Sequence, residues 1–208
     1  PYIHALLVSC LLMLAAQAPA AVFSPDSTSS GKSLNGHIEL FEDASGELQI
    51  EDILQADVQQ RFVPAAGRAS VGQSRNPWWI KLQLQGNLTA PQDWWLEVGG
   101  PNQLDLRVYL PDGKGGWNER RSAEAVPFAE GRDYDYRRSV FHLPQLQDRQ
   151  TVYLRSYDPA GNSFPMRLWQ LPDLQQRQIN ENLLFGMIYG VIIALLLYNL
   201  FIFSSLRD

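Results

Sequence analysis

The sequence has little of what disulfide-stapled or catalytic domains rely on. Its single cysteine, Cys10, lies in an N-terminal apolar run, which excludes a disulfide or a thiolate metal site from the rest of the chain. A domain of this size can still be exported without staples, because its core is large enough. Histidine is equally scarce: His4, His37 and His142 stand far apart, and no H-E-x-x-H, G-x-S-x-G or P-loop pattern occurs. Lysine and arginine number 17 against 22 acids, for a net charge of −5. With no basic stripe to neutralise phosphates, a general nucleic-acid binder is excluded. Helical periodicity is rare in the middle of the chain, where "IEDILQADVQQ" at 50–60 is the one convincing soluble helix.

Apolar residues, by contrast, are concentrated at the two ends. About twelve apolar or small residues from Ala5 to Ala16 are too few to cross a bilayer. Ala18-Pro19-Ala20 then supplies a small-x-small cleavage pattern, so residues 1–20 read as a secretory signal peptide in a chain that opens at Pro1 without its basic start. From Leu183 to Phe203 no residue is charged, which is the length of a spanning helix; we assign 183–206 to a transmembrane segment. Gly186 and Gly190 form a G-x-x-x-G pair and Asn199 is a lone amide, features of a helix that packs within a bundle. Arg207 fits a cytoplasmic end. An exported N-terminus, a folded middle and a first membrane span make a receptor-like layout, and the stop at Asp208 is expected to cut a longer receptor.

The middle reads as strands. Residues 21–36 form a polar leader without a packing pattern, and order is expected from His37. "WWIKLQLQ" at 78–85 puts Trp78, Ile80, Leu82 and Leu84 on one face and Trp79, Lys81 and Gln83 on the other; "WWLEV" at 94–98 repeats the scheme with Trp95 and Glu97 opposed to Trp94, Leu96 and Val98. "LDLRVYL" runs into "PDGKGG", a hairpin signal. "RSVFHL", "TVYLRSY" and "FPMRLWQL" complete a series suited to antiparallel pairing. The expected fold over 37–172 is a mainly β jelly-roll sandwich with one short helix. Polar, helix-compatible residues 173–182 would link it to the C-terminal transmembrane helix, and a stiff link of that kind passes on rigid-body displacement.

Trp79 and Trp95, with Lys81 and Glu97 beside them, would form a polar-aromatic patch if their faces are exposed: aromatic faces pack on sugar rings and polar groups give directional hydrogen bonds. Period-2 patterning alone equally allows both tryptophans to pack under a loop, a helix or the opposite sheet. The loop "EGRDYDYRRS" at 130–139 adds Arg132, Tyr134, Tyr136 and Arg138, a cluster suited to an anionic or sugar ligand. Acid pairs such as Glu97 with Asp105, or Asp133 with Asp135, read as solvated surface in preference to a glycosidase pair. No cofactor is implied; a Ca²⁺ site would have to come from loop acids around Asp133 and Asp135.

The ordered series "NPWWIKLQL", "WWLEVGGPNQLDLRVYLPDG", "RRSVFHLP", "TVYLRSYDPAGNSFPMRLW" and "LLFGMIYGVIIALLLYNLFIFSSLRD" resembles bacterial seven-transmembrane receptors with diverse intracellular signalling modules. Residues from 37 resemble the type 2 extracellular domain of that family, and the last segment its first membrane helix. The resemblance implies a periplasmic jelly-roll sensor similar to carbohydrate-binding modules, held at the inner membrane, with a histidine kinase or diguanylate cyclase as output and no catalysis in this fragment. The expected partners are a carbohydrate or carboxylate-bearing small molecule and the membrane, with a second copy or partner receptor if the domain instead serves assembly.

Overall fold

The structure is a computed structural model that describes residues 20–86, 92–100, 104–123, 126–127, 133–144, 146 and 148–206. The expected signal peptide, apart from Ala20, and Arg132 and Arg207 lie outside the described residues.

Among the described residues, eleven strands alternate with few helices. The larger sheet has six strands: β1 (Ile38–Glu42), β2 (Val63–Pro64), β4 (Trp78–Gln85), β6 (Asp105–Pro111), β7 (Trp117–Ala123) and β9 (Arg149–Tyr157), in the order β2-β1-β4-β9-β6-β7. The smaller sheet orders β11 (Met166–Trp169), β5 (Trp94–Val98) and β8 (Ser139–Leu143) as β11-β5-β8. Two short strands, β3 (Ser70–Gly72) and β10 (Asn162–Ser163), pair separately. The β6–β7 hairpin is closed where the sequence signals it: the Asp112 carboxylate accepts the amides of Lys114 and Gly116, at 2.7 and 2.8 Å.

Period-2 alternation sorts the side chains into layers. Ile80, Leu82 and Leu84 of β4, with Leu106, Val108, Val152 and Leu154, face Trp94, Leu96, Val98, Phe141 and Leu168 of the smaller sheet and form one buried core. This is the expected β-sandwich. The opposite face of the larger sheet carries Trp79, Tyr109 and Tyr153, covered by Ile50, Ile53, Val58 and Phe62. The expected helix over 50–60 supplies that cover as two short pieces, α1 (Ile50–Ile53) and α2 (Ala56–Gln59). Asp43 anchors the approach to α1: its buried carboxylate accepts the amides of Ser45, Gly46 and Leu48.

One expectation is corrected. The leader does not remain outside the fold: Phe23 bridges in parallel to Leu84, and Leu34 is fully buried. Asn35 donates to the carbonyls of Arg68 and Phe164 and accepts the Met166 amide. A few well-spaced apolar residues suffice to dock a polar segment along a sheet edge, which composition alone conceals. Residues 173–182 are the first turns of one continuous helix, α3 (Leu171–Leu206), of 36 residues. At 1.5 Å per residue it is about 54 Å long. It is the one described helix long and apolar enough to cross a membrane. From Leu183 to Leu206 its side chains are exposed except for the half-buried Ile202, as suits a surface solvated by lipid.

Candidate functional site

The outer face of the smaller sheet holds the root of α3. Antiparallel register sets Trp169 of β11 beside Trp95 of β5, and Arg167 beside Glu97. The chain leaves β11 and enters α3 two residues after Trp169, so α3 starts against this face. Leu174, on the first turn, is fully buried in a small apolar cluster with Tyr136 and Val140, flanked by Trp95, Tyr134 and Trp169.

Around that cluster lies a network of charge-assisted hydrogen bonds. Glu97 is 2% exposed. Its Oε1 accepts Arg138 Nη1 at 2.7 Å; its Oε2 accepts Trp169 Nε1 at 2.6 Å and Arg177 Nη1 at 3.0 Å. The Arg177 guanidinium also stacks 4.9 Å over the Trp169 ring and donates Nε to Glu181 Oε1 at 3.1 Å. Glu181 Oε2 in turn accepts the Tyr136 hydroxyl at 2.6 Å and pairs with Arg137 Nη2 at 3.0 Å. Tyr134 donates to Gln178 Oε1, and Gln178 Nε2 donates to the Asp135 carbonyl, both at 2.9 Å. Glu97 would be costly to bury alone; three donors satisfy it, two of them cationic. Four side chains of α3, at positions 174, 177, 178 and 181, are therefore gripped by the sandwich.

The leader braces the same place. Gly31 donates its amide to the Leu168 carbonyl at 2.7 Å, and its own carbonyl accepts Arg167 Nη1 at 2.6 Å. Its φ is +79°, and an added Cβ would stand 2.9 Å from the Trp169 ring. Gly31→Ala is therefore expected to destabilise the chain by about 1–3 kcal/mol, read by denaturant unfolding; a neutral result would mean that Trp169 yields.

The sequence-predicted site residues do not form one patch. Trp79 and Lys81 lie on the larger sheet, whereas Trp95 and Glu97 lie on the smaller one. Trp79 is 0% exposed beneath α1 and α2, stacked on Tyr109 at 5.5 Å. Lys81 pairs with Glu39 at 3.1 Å and lies over Phe62. Neither is offered to a ligand in this structure, because the helices cover that face. Glu97, Tyr134, Tyr136 and Arg138 do converge with Trp95, but on α3. The reading of the acids as solvated surface is corrected for one pair: Glu97 is buried and paired, and Asp105 meets Arg107, Arg121 and Arg155 at 3.3, 2.8 and 3.6 Å, whereas Asp133 and Asp135 are exposed. Among the described residues, no three His, Cys, Asp or Glu side chains gather where a metal ion could sit. Sequence reasoning missed Trp169, Arg177, Gln178 and Glu181. The available signal was an Arg–Glu pair at i,i+4 in the polar turns just before the apolar segment.

Burial, reinforced by the hydrogen bond to Glu181, pushes the Tyr136 hydroxyl up to about 12 from its ordinary 10.0. A raised folded-state pKa favours the neutral form, so this stabilisation is complete below pH 10 and lost as pH climbs toward 12. Tyrosinate absorbance should accordingly appear for Tyr136 only as helix contacts loosen. Titration of Tyr136→Phe against the parent chain checks this, and identical alkaline transitions would refute it.

Among the described residues a cleft of 410 Å³ runs along α3 beside Trp169, Arg177 and Glu181, and two further open clefts flank the sandwich. One, of 590 Å³, lies on the outer face of the larger sheet between Leu54, the β6–β7 turn, Trp117 and Tyr153, with Arg149 and Thr151 on its wall. A smaller one, of 300 Å³, joins Trp95 and His142 to Arg120 and Asp133.

A search among curated proteins finds no significant match. A family model described as 7TMR-DISM extracellular 2 matches residues 35–170, which spans the sandwich from just before β1 to the threshold of α3. On that match, covering well over half of the 208 residues, the chain belongs to the 7TMR-DISM extracellular 2 domain family.

Proposed function

We propose that the sandwich is the ligand-sensing domain of a bacterial signalling receptor in the inner membrane. It lies in the periplasm, takes a carbohydrate or small anionic compound, and passes its state through the membrane helices to a cytoplasmic kinase or diguanylate cyclase. Membership of an extracellular-domain family, together with one apolar helix, makes this a membrane-anchored receptor with its sandwich outside the cytoplasm. The observation that carries the finer reading is the grip on α3. A domain that only needed tethering would be served by a flexible linker. Here Glu97, Tyr134, Tyr136 and Arg137 hold three contact positions of the helix, 177, 178 and 181, so displacement of the sandwich must displace α3. A ligand acts through such a joint by binding one arrangement of it better than another.

The test is hydrogen exchange across Leu174–Glu181 in the full chain, embedded in lipid nanodiscs, with and without a panel of sugars, organic acids and amino acids. A compound that stabilises the chain saturably and also alters exchange in these turns supports the proposal. Saturable binding that leaves exchange there unchanged for every compound would overturn it.

A further inference from the structure

We infer that the 300 Å³ cleft between the two sheets is the sensing pocket, and that it takes a small zwitterion of the amino-acid type, one carboxylate beside one ammonium group. The inference rests on the sensor reading above, assigns its ligand site, and puts a carboxylate-bearing zwitterion in place of the carbohydrate or anion named there.

The cleft brings together elements far apart in the chain. Asn118 and Arg120 come from β7 at the edge of the larger sheet, Trp95 and His142 from β5 and β8 of the smaller one, and Asp133 from the loop before β8. Its floor is aromatic: the Trp95 and His142 rings lie 4.7 Å apart, and Tyr134 meets Trp95 edge-on at 5.5 Å. Its rim carries both signs of charge. Arg120 Nε stands 3.6 Å from Asp133 Oδ1, too far for a good hydrogen bond. Asp133 itself is fixed by accepting the His142 amide at 3.0 Å. A carboxylate can take the guanidinium and the Asn118 amide while an ammonium group takes the Asp133 carboxylate, each replacing a weak contact by a charge-assisted one. An apolar side chain then rests on Trp95. The volume is at the low end of the range for ligand pockets, about 300–1,000 Å³, which suits one small molecule and not an oligosaccharide.

Position favours this cleft over the 590 Å³ one. Trp95 belongs to the cluster that buries Leu174, and its neighbour Tyr134 donates to Gln178, so an occupant touching Trp95 is one side chain from α3. The 590 Å³ cleft lies on the far face of the larger sheet, with the whole sandwich between it and the helix.

The probes are the standard L-amino acids, their carboxamides, and glucose, applied to the full chain in nanodiscs with thermal stability and binding isotherms as readouts. At least one free amino acid should stabilise the chain saturably, and its carboxamide should not. Arg120→Gln should weaken that binding about tenfold or more, as expected for losing one charge-assisted hydrogen bond. The Arg120 side chain is 55% exposed, so the fold should tolerate the change. Asn118→Ala should weaken binding in the same direction, whereas Arg149→Gln in the larger cleft should leave it unchanged. Stabilisation by glucose alone, equal response to the carboxamides, or binding that survives Arg120→Gln would each overturn this site. Those results leave the sensor reading standing, because that reading fails only if no bound compound changes exchange at Leu174–Glu181.

Discussion

Glu97→Ala is expected to destabilise the chain by about 3–5 kcal/mol, the cost of removing one partner from a buried ionic cluster. The carboxylate satisfies Arg138, Arg177 and the Trp169 indole together. Without it, two partly buried guanidinium groups face each other beside an unpaired indole N–H. Repulsion acts across the joint itself, so α3 should loosen before the sandwich does. Denaturant unfolding gives the energy, and hydrogen exchange gives the place: protection should fall first at Leu174–Glu181 and remain in β4 and β9. Glu97→Gln preserves the volume and an acceptor oxygen, and should cost less while still freeing Arg177. A loss below about 1 kcal/mol, typical of exposed pairs, would mean that the network is ornamental and that the grip rests on Leu174.

Trp79→Ala should destabilise by a similar amount, about 3–5 kcal/mol, but with a different signature. The ring fills the space between β4 and the α1–α2 cover, against Tyr109, and its loss opens a cavity that four-residue helices are poorly placed to close. Exchange should therefore rise in residues 50–60 and leave α3 protected. The indole Nε1 is buried without a hydrogen-bond partner among the described residues. Trp79→Phe removes that unsatisfied donor along with part of the ring, so it should cost clearly less than the alanine variant. If ligand binding to the full chain were abolished by Trp79→Phe with stability intact, the buried assignment would be wrong.

The layering of the sandwich was legible because alternation is a local property. Ile80, Leu82 and Leu84 announce one face whatever lies opposite, and Pro-Asp-Gly at 111–113 announces its turn. Which of two faces is covered is not local. Trp79 and Trp95 occupy equivalent positions in their strands, yet one is sealed by helices formed some twenty residues earlier and the other borders α3. Alternation also cannot tell that strands β4 and β5, adjacent in sequence, enter different sheets, and this is what separated Lys81 from Glu97. The cluster at 133–138 was correctly singled out as dense in Arg and Tyr, but its partners Arg177, Gln178 and Glu181 come from some forty residues further on. The leader was misjudged for a related reason: Leu34 and Asn35 draw their meaning from Phe164 and Met166, near the far end of the domain.

The grip on α3 also sets a compass bearing. Positions 174, 177, 178 and 181 fall on one stripe of the helix, and with 3.6 residues per turn Gly186 and Gly190 lie about 130° and 170° around from that stripe. The sandwich thus determines which way the small-residue side looks in the plane of the membrane: away from itself. Helix neighbours that need close approach are directed to the far side, clear of the domain above. Slippage of the grip by a single residue would swing this bearing by about 100°, so the receptor holds not only the height of its membrane helix but its heading.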